Sequence, residues 1–155
     1  MQITIPSIGS IELKHLVFDY NGTIARDGLL LSNLDKTITD LAGRITIHIL
    51  TADSGGTVAQ EVDGLPCTLH IIASGNEAEQ KEAYVQALGA DSVVCIGNGA
   101  NDRLMLKVAR LGIAVLEGEG SAVSAILQAD IVARSIYDAL GLLMVPQRIA
   151  ATLRS

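Results

Sequence analysis

The residues of this sequence whose types could act on one substrate are Asp19, Thr51, Lys81 and Asp102, with the amides Asn21, Asn98 and Asn101 close beside them. Asp19 ends the apolar run Leu16-Val17-Phe18, and Asn21-Gly22 behind it is a strong turn signal, since both residues tolerate positive φ. Thr51-Ala52-Asp53-Ser54-Gly55-Gly56 and Gly97-Asn98-Gly99-Ala100-Asn101-Asp102 follow two further apolar runs in the same manner. Carboxylate and amide oxygens suit a hard divalent cation such as Mg²⁺. Free backbone N–H groups where a Gly-rich turn enters a helix suit a phosphate, and a lysine at the same edge would add the positive charge a phosphoryl group needs. An acid placed where a buried strand surfaces must be solvated, paired or metal-bound, because an isolated buried carboxylate is costly.

The elements that would gather these residues follow from periodicity and punctuation. Residues 3–5 and 11–13 alternate around Pro6-Ser7-Ile8-Gly9-Ser10 and predict a short hairpin. A strand over about 14–20 carries Asp19. Ser32-Asn33-Leu34-Asp35 opens a helix with Leu34, Ile38, Leu41 and Ala42 at helical spacing, which Gly43 ends. A second main strand covers 44–50, a short helix about 56–62, and a third strand 67–73. Glu77 to Leu88 is a marked helix with Gly89 in the stop position. Strands at 92–96, 112–116 and 130–133 alternate with helices ending near Arg110 and Leu127, and Ser135 caps a final helix that Pro146 kinks or divides. Strands alternating with helices imply right-handed βαβ units, so the fold class is a three-layer α/β/α, Rossmann-like sandwich with a mostly parallel sheet. Parallel strands bring their carboxyl ends to one edge, where such folds keep their ligands.

With four ordered motifs in hand, the chain resembles the haloacid dehalogenase (HAD) superfamily of aspartyl-nucleophile phosphohydrolases. Within it, the chain is similar to the phosphorylation domain of P-type ATPases and its soluble relatives. Asp19-Tyr20-Asn21-Gly22-Thr23 matches the first motif, Thr51-Ala52-Asp53 the second, Lys81 the conserved lysine, and Gly97-Asn98-Gly99-Ala100-Asn101-Asp102 the fourth. The resemblance implies that Asp19 attacks a phosphoryl group and forms an aspartyl phosphate that water cleaves. It implies Thr51, Lys81 and Asp102 as further catalytic groups, and Asn21, Gly22, Ala52 and Asn101 as substrate-binding positions. Mg²⁺ would be held by Asp19, the carbonyl of Asn21 and the fourth motif through Asn98 and Asp102, while Asn101 and Asp102 would orient Lys81 and water.

Two departures from the pattern bear on rate. Phosphatases of the superfamily carry an acid two residues after the nucleophile, whereas Asn21 cannot exchange a proton near neutral pH. Asn98 stands where a metal-binding Asp is usual and removes one negative charge. Slow turnover is therefore expected; the alternative is a binding module that holds metal or phosphate in a regulatory or assembly role. The gaps from Asp19 to Thr51 and from Thr51 to Lys81 are each filled by helix and strand. That leaves one domain over residues 1–155, without a cap and without the nucleotide-binding domain of a pump. An open site of this kind would take a phosphorylated small molecule or a phosphoprotein.

Composition narrows the rest. At 155 residues, 49% hydrophobic with mean hydropathy +0.40, the chain can bury a real core, yet no apolar run reaches the ~18 residues of a membrane span. A net charge of −6, no Trp and a single Phe argue against a nucleic-acid partner. Cys67 and Cys95 lack metal-ligand spacing and read as reduced core thiols, so a cytoplasmic protein is the default. The apolar content and open edge leave room for a homo-oligomer. His15, His48 and His70 read as structural, Asp27-Gly28 as a plain turn and Asp53 as a helix cap. Gly97-Asn98-Gly99 followed by Glu117 also begins a dinucleotide fingerprint, but Asp102 occupies its third glycine position.

Overall fold

A six-stranded parallel sheet forms the middle of the molecule, and its most central pairings belong to the strand that carries Asp19. The computed structural model describes residues 1–6, 8–53 and 55–155. Ser7, expected in the first hairpin turn, and Ser54, expected in the turn after the second main strand, lie outside them.

Strands β1 (Gln2–Ile5) and β2 (Gly9–Glu12) form the antiparallel N-terminal hairpin, paired Gln2 to Glu12 and Ile5 to Gly9. Strand β3 (His15–Asp19) then enters the main sheet. Two further strands of two residues each, β4 (Ala25–Arg26) and β5 (Leu29–Leu30), make a hairpin that sequence reasoning did not anticipate. Its turn is Asp27-Gly28, with φ of 51° and 82°, the pair of left-handed residues that a tight two-residue hairpin needs. Helix α1 (Asp35–Ala42) buries Ile38 and Leu41 and stops at Gly43 as expected.

The alternation continues with β6 (Thr46–Thr51), α2 (Val58–Glu61), β7 (Thr68–Ile71), α3 (Glu77–Leu88) and β8 (Val93–Gly97). A 3₁₀ turn at Ala100–Asp102 leads into α4 (Arg103–Val108), followed by β9 (Leu111–Val115), α5 (Val123–Ile126) and β10 (Ile131–Ala133). The final helical stretch is divided at Pro146 into α6 (Ile136–Met144) and α7 (Gln147–Leu153), and Ser135 caps α6 by accepting from the Asp138 N–H at 3.1 Å.

Strand order is β10-β9-β8-β3-β6-β7, with every pairing parallel. Both neighbours of β3 run out where it does: Asp19 pairs with Leu50, and Phe18 with Ile96. Thr51 and Asn98 therefore emerge beside Asp19 at one edge. Alternation along β3 sends Leu16 and Phe18 into the larger core with the hairpin, α1, α6 and α7. Val17 faces the smaller core with Val85, Cys95, Met105, Leu106 and Ala125. Asp19 shares the parity of Val17 and so faces α3. Both faces of the sheet are covered, which accounts for β8 and β9 being buried at every position. Cys95 is buried and Cys67 partly so, and both are free thiols.

Candidate active site

Helix α3 runs back against the strands, so its N-terminal end stands over the edge where Asp19, Thr51 and Asn98 emerge. Its buried stripe is Ala78, Lys81 and Val85, a helical spacing in which a lysine holds an apolar position. Lys81 is only 1% exposed. Its Nζ donates to Asp19 Oδ1 at 2.5 Å and to Asp102 Oδ1 at 2.7 Å, so one ammonium bridges two carboxylates. Burial alone would lower the lysine pKa, but the charges of Asp19 and Asp102 outweigh it and hold Lys81 protonated. Asp19 is pushed up to about 7, first by burial and then by Asp102, with Lys81 pulling the other way. Two carboxylates for one ammonium leave this buried cluster with excess negative charge.

The turn after β3 is closed by its own backbone. The N–H groups of Thr23, Ile24 and Ala25 all point to the Tyr20 carbonyl, and the Gly22 N–H donates to Ala25 O at 2.8 Å. Gly22 has φ of 75°, and a Cβ there would run into the Asn98 side chain, so two reasons require glycine. Thr23 is fully buried. Its hydroxyl lies 3.1 Å from Asn98 Oδ1 and 3.3 Å from Asp19 Oδ2, sharing one proton between them.

Asn98 is fixed on its other side, because its Nδ2 donates to Gly120 O at 2.9 Å. That donor requirement orients the amide with Oδ1 toward Thr23 and Asp19. Asp102 is wholly buried, and its Oδ2 accepts from the N–H groups of Asn98 (2.9 Å) and Gly99 (2.8 Å).

A cavity of about 280 Å³ opens over this cluster, lined by Asp19, Asn21, Thr51, Ala52, Asp53, Ser74, Glu77, Asn98, Gly99 and Asn101. Six of the expected residues thus meet in one place, and Lys81 forms its floor through Asp19. Gly22 and Asp102 do not line it. The Gly22 N–H is used within its own turn, so it has no donor left for a substrate. Asp102 lies beneath the cavity, with Oδ1 on Lys81 and Oδ2 on the backbone, the arrangement expected of a group that orients Lys81. Asn101 departs from its expected role, since its Nδ2 donates to Glu77 Oε2 at 2.8 Å and not toward the lysine.

Asp53 is the cap it was read as, with Oδ1 accepting from Thr57 N at 3.1 Å and Val58 N at 3.3 Å. Glu117 accepts from the Ile136 N–H at 2.5 Å, so its carboxylate is taken up at the start of α6, away from any dinucleotide. The histidines lie lower on the sheet, where His15 Nδ1 meets His48 Nε2 and His48 Nδ1 meets Tyr84 OH, each at 3.0 Å.

Thr23 and Glu77 are two site residues that sequence reasoning missed. Thr23 had a signal, since it closes the first motif. Glu77 had only its position four residues before Lys81, hence on the same helix face.

No family model matches the chain. A search of curated proteins finds an uncharacterized protein, MJ0073, of Methanocaldococcus jannaschii, 50% identical over 62 residues, which are 40% of this chain and 67% of that one. Among solved structures, the 3-deoxy-D-manno-octulosonate 8-phosphate phosphatase of Moraxella catarrhalis, in complex with magnesium, phosphate and KDO, superposes with a TM-score of 0.64. It is 18% identical, with 90% of this chain and 92% of that one covered. The cobalt-bound phosphatase of the same substrate from Haemophilus influenzae gives a TM-score of 0.71 at 12% identity, covering 92% and 90%. That of Yersinia pestis gives 0.67 at 14% identity, covering 99% and 95%. The chain belongs to one family with the Methanocaldococcus protein and has the fold of the haloacid dehalogenase superfamily.

Proposed function

We propose that the chain is a Mg²⁺-dependent phosphohydrolase that works through an aspartyl phosphate on Asp19, at a low rate. The observation that carries this reading is the buried Asp19–Lys81–Asp102 bridge at the floor of an open cavity. A buried ion cluster is weak stabilisation compared with an apolar filling of the same volume, so its retention at a sheet edge points to use.

The donor set fits Mg²⁺. The side chains that line the cavity offer carboxylate, amide and hydroxyl oxygens with no thiol or imidazole, which suits a hard cation. The excess negative charge around Asp19 favours a cation as well. Asp19, the Asn21 carbonyl and Asn98 Oδ1 would hold it. Bound there, it would neutralise charge as an anionic carboxylate meets an anionic phosphoryl group.

The protein's own groups would do the rest. Lys81 opposes the rise in the Asp19 pKa and aims its carboxylate, and Asp102 keeps Lys81 in place. Thr51 accepts from the Asp53 N–H at 3.1 Å, which leaves its own hydroxyl proton for a phosphoryl oxygen. Asp19 attacks phosphorus in line as the ester oxygen departs, and water then cleaves the acyl phosphate. Asn21 supplies no proton and Asn98 one charge fewer, which supports slow turnover and weak metal binding.

A small phosphoester fits the space better than a large partner. A second cavity of about 380 Å³ adjoins the first through Asn21 and Asp53, and Asp27, Glu119 and Thr57 also line it. Its acidic lining favours a neutral, hydroxylated leaving group over an anionic one. The phosphate and KDO in the Moraxella phosphatase support a small, hydroxylated substrate, although KDO carries a carboxylate that the acidic lining of this second cavity does not favour. The test is hydrolysis of an aryl phosphate by the purified protein with Mg²⁺: activity is expected to be lost in Asp19→Asn and with excess EDTA, and unchanged activity in Asp19→Asn would overturn the reading.

A further inference from the structure

Cleavage of an acyl phosphate requires water to lose a proton, and the residue placed beside Asp19 in the turn, Asn21, has none to exchange. Among the described residues that line the cavity, the titratable side chains besides Asp19 are Asp53 and Glu77. Asp53 is committed elsewhere: one oxygen caps α2 through two N–H groups, at the side that leads into the second cavity.

Glu77 is placed differently. It stands four residues, about 6 Å along the helix axis, beyond Lys81 on the same face of α3. Because Lys81 reaches Asp19 from below, that spacing puts Glu77 at the outer wall of the cavity. Asp19 and Glu77 thus line one cavity, into which a phosphoryl group on Asp19 and an attacking water would both fit. Glu77 is partly buried, and among the described residues one hydrogen bond holds it: Oε2 accepts from Asn101 Nδ2 at 2.8 Å. Asn101 packs closely on Gly99, where a Cβ would lie 2.5 Å from the side-chain Oδ1 of Asn101. The amide thus fixes one carboxylate oxygen and leaves the other for water.

We infer that Glu77 is the general base of the second half-reaction, positioned by Asn101, in a site whose first turn lacks an acid. Water oxygen bonds to phosphorus as the Asp19 oxygen–phosphorus bond breaks; the water proton passes to the Glu77 carboxylate and then to solvent. Asp19 is regenerated as a carboxylate and inorganic phosphate leaves. The inference rests on the phosphohydrolase reading above.

The experiment loads wild-type protein and variants with acetyl phosphate and Mg²⁺, removes the donor by rapid desalting, and follows loss of the phosphoryl adduct by intact mass. Glu77→Gln is expected to form the adduct and to lose it about 100-fold or more slowly than wild type, the range typical of a missing general base. Glu77→Asp should recover at least tenfold of that loss, which a merely structural role would not do. An adduct that decays at the wild-type rate in Glu77→Gln, or a decay slowed by Asp53→Asn in its place, would overturn the inference and leave the phosphohydrolase reading standing. No adduct in wild type or any variant would overturn both.

Discussion

Replacing Lys81 by Met keeps the apolar stem and removes the ammonium that two buried carboxylates share. The side chains of Lys81, Asp19 and Asp102 are 1%, 10% and 0% exposed, so solvent screens little of what is lost. Removing one partner of a buried ion pair costs about 3–5 kcal/mol, a large part of the roughly 5–15 kcal/mol that holds a domain folded. At a urea m-value of about 2–3 kcal/mol/M this is a midpoint shift of roughly 1–2.5 M. The chain has no Trp, so the transition is followed by far-UV circular dichroism.

The loss has a definite pH dependence. Without Lys81 the Asp19 pKa rises further above the about 7 that burial and Asp102 already impose. A group whose folded pKa is raised binds its proton more tightly in the native state, so its stabilisation is present at low pH and lost as pH rises. Lys81→Met should therefore be close to wild type near pH 4 and weakest above pH 7. Asp19→Asn in the same chain should restore at least half of the deficit at pH 7. A midpoint shift below about 0.3 M, or a double variant no more stable than Lys81→Met, would refute the buried bridge.

Three further outcomes are expected. Asn98→Asp loses the donor to the Gly120 carbonyl and sets a carboxylate against it, costing about 1–3 kcal/mol without metal; the cost should shrink on adding Mg²⁺, read as a Mg²⁺-dependent rise in Tm larger than that of wild type. Gly22→Ala meets both a positive φ and the Asn98 side chain, and a loss of about 1–3 kcal/mol in urea denaturation is expected. His48 is lowered to about 4, first by burial and then by His15, so the neutral ring is the native form. A lowered pKa in the folded state gives stability that is present above pH 6.5 and lost as pH falls through about 4; His48→Gln should flatten that decline, read as a smaller drop in urea midpoint between pH 7 and pH 4 than in wild type.

Much of this arrangement was legible in the sequence, and the reasons are local. Helix α3 matches its expected bounds because Glu77 to Leu88 has strong helix formers and Gly89, at φ of 88°, is the stop that only a left-handed residue makes. Strand ends at Asp19, Thr51 and Asn98 follow from apolar runs breaking into turn residues. The β4–β5 hairpin escaped notice because two residues are too short to show a period, although its Asp27-Gly28 turn was visible. Lys81, between Glu79 and Glu82, was singled out by the family pattern alone, and the buried Ala78, Lys81, Val85 stripe gives the physical reason that it faces the sheet. The inward aim of Asp102 depends on the 3₁₀ turn from Ala100, which no pattern marks, and that turn brings its Oδ1 to Lys81. Asn101 reaches Glu77 across two elements far apart in sequence, a pairing that periodicity cannot reveal.

The most direct test of the central claim is whether Asp19 takes up a phosphoryl group. The protein is incubated with Mg²⁺ and beryllium fluoride as the phosphoryl mimic, and backbone amide NMR signals are followed around Asp19, Thr51 and Asn98. Saturable, Mg²⁺-dependent shifts confined to these residues and absent in Asp19→Asn are the expected result. Spectra that stay unchanged in folded wild-type protein, or that change equally in Asp19→Asn, would contradict an aspartyl-phosphate site.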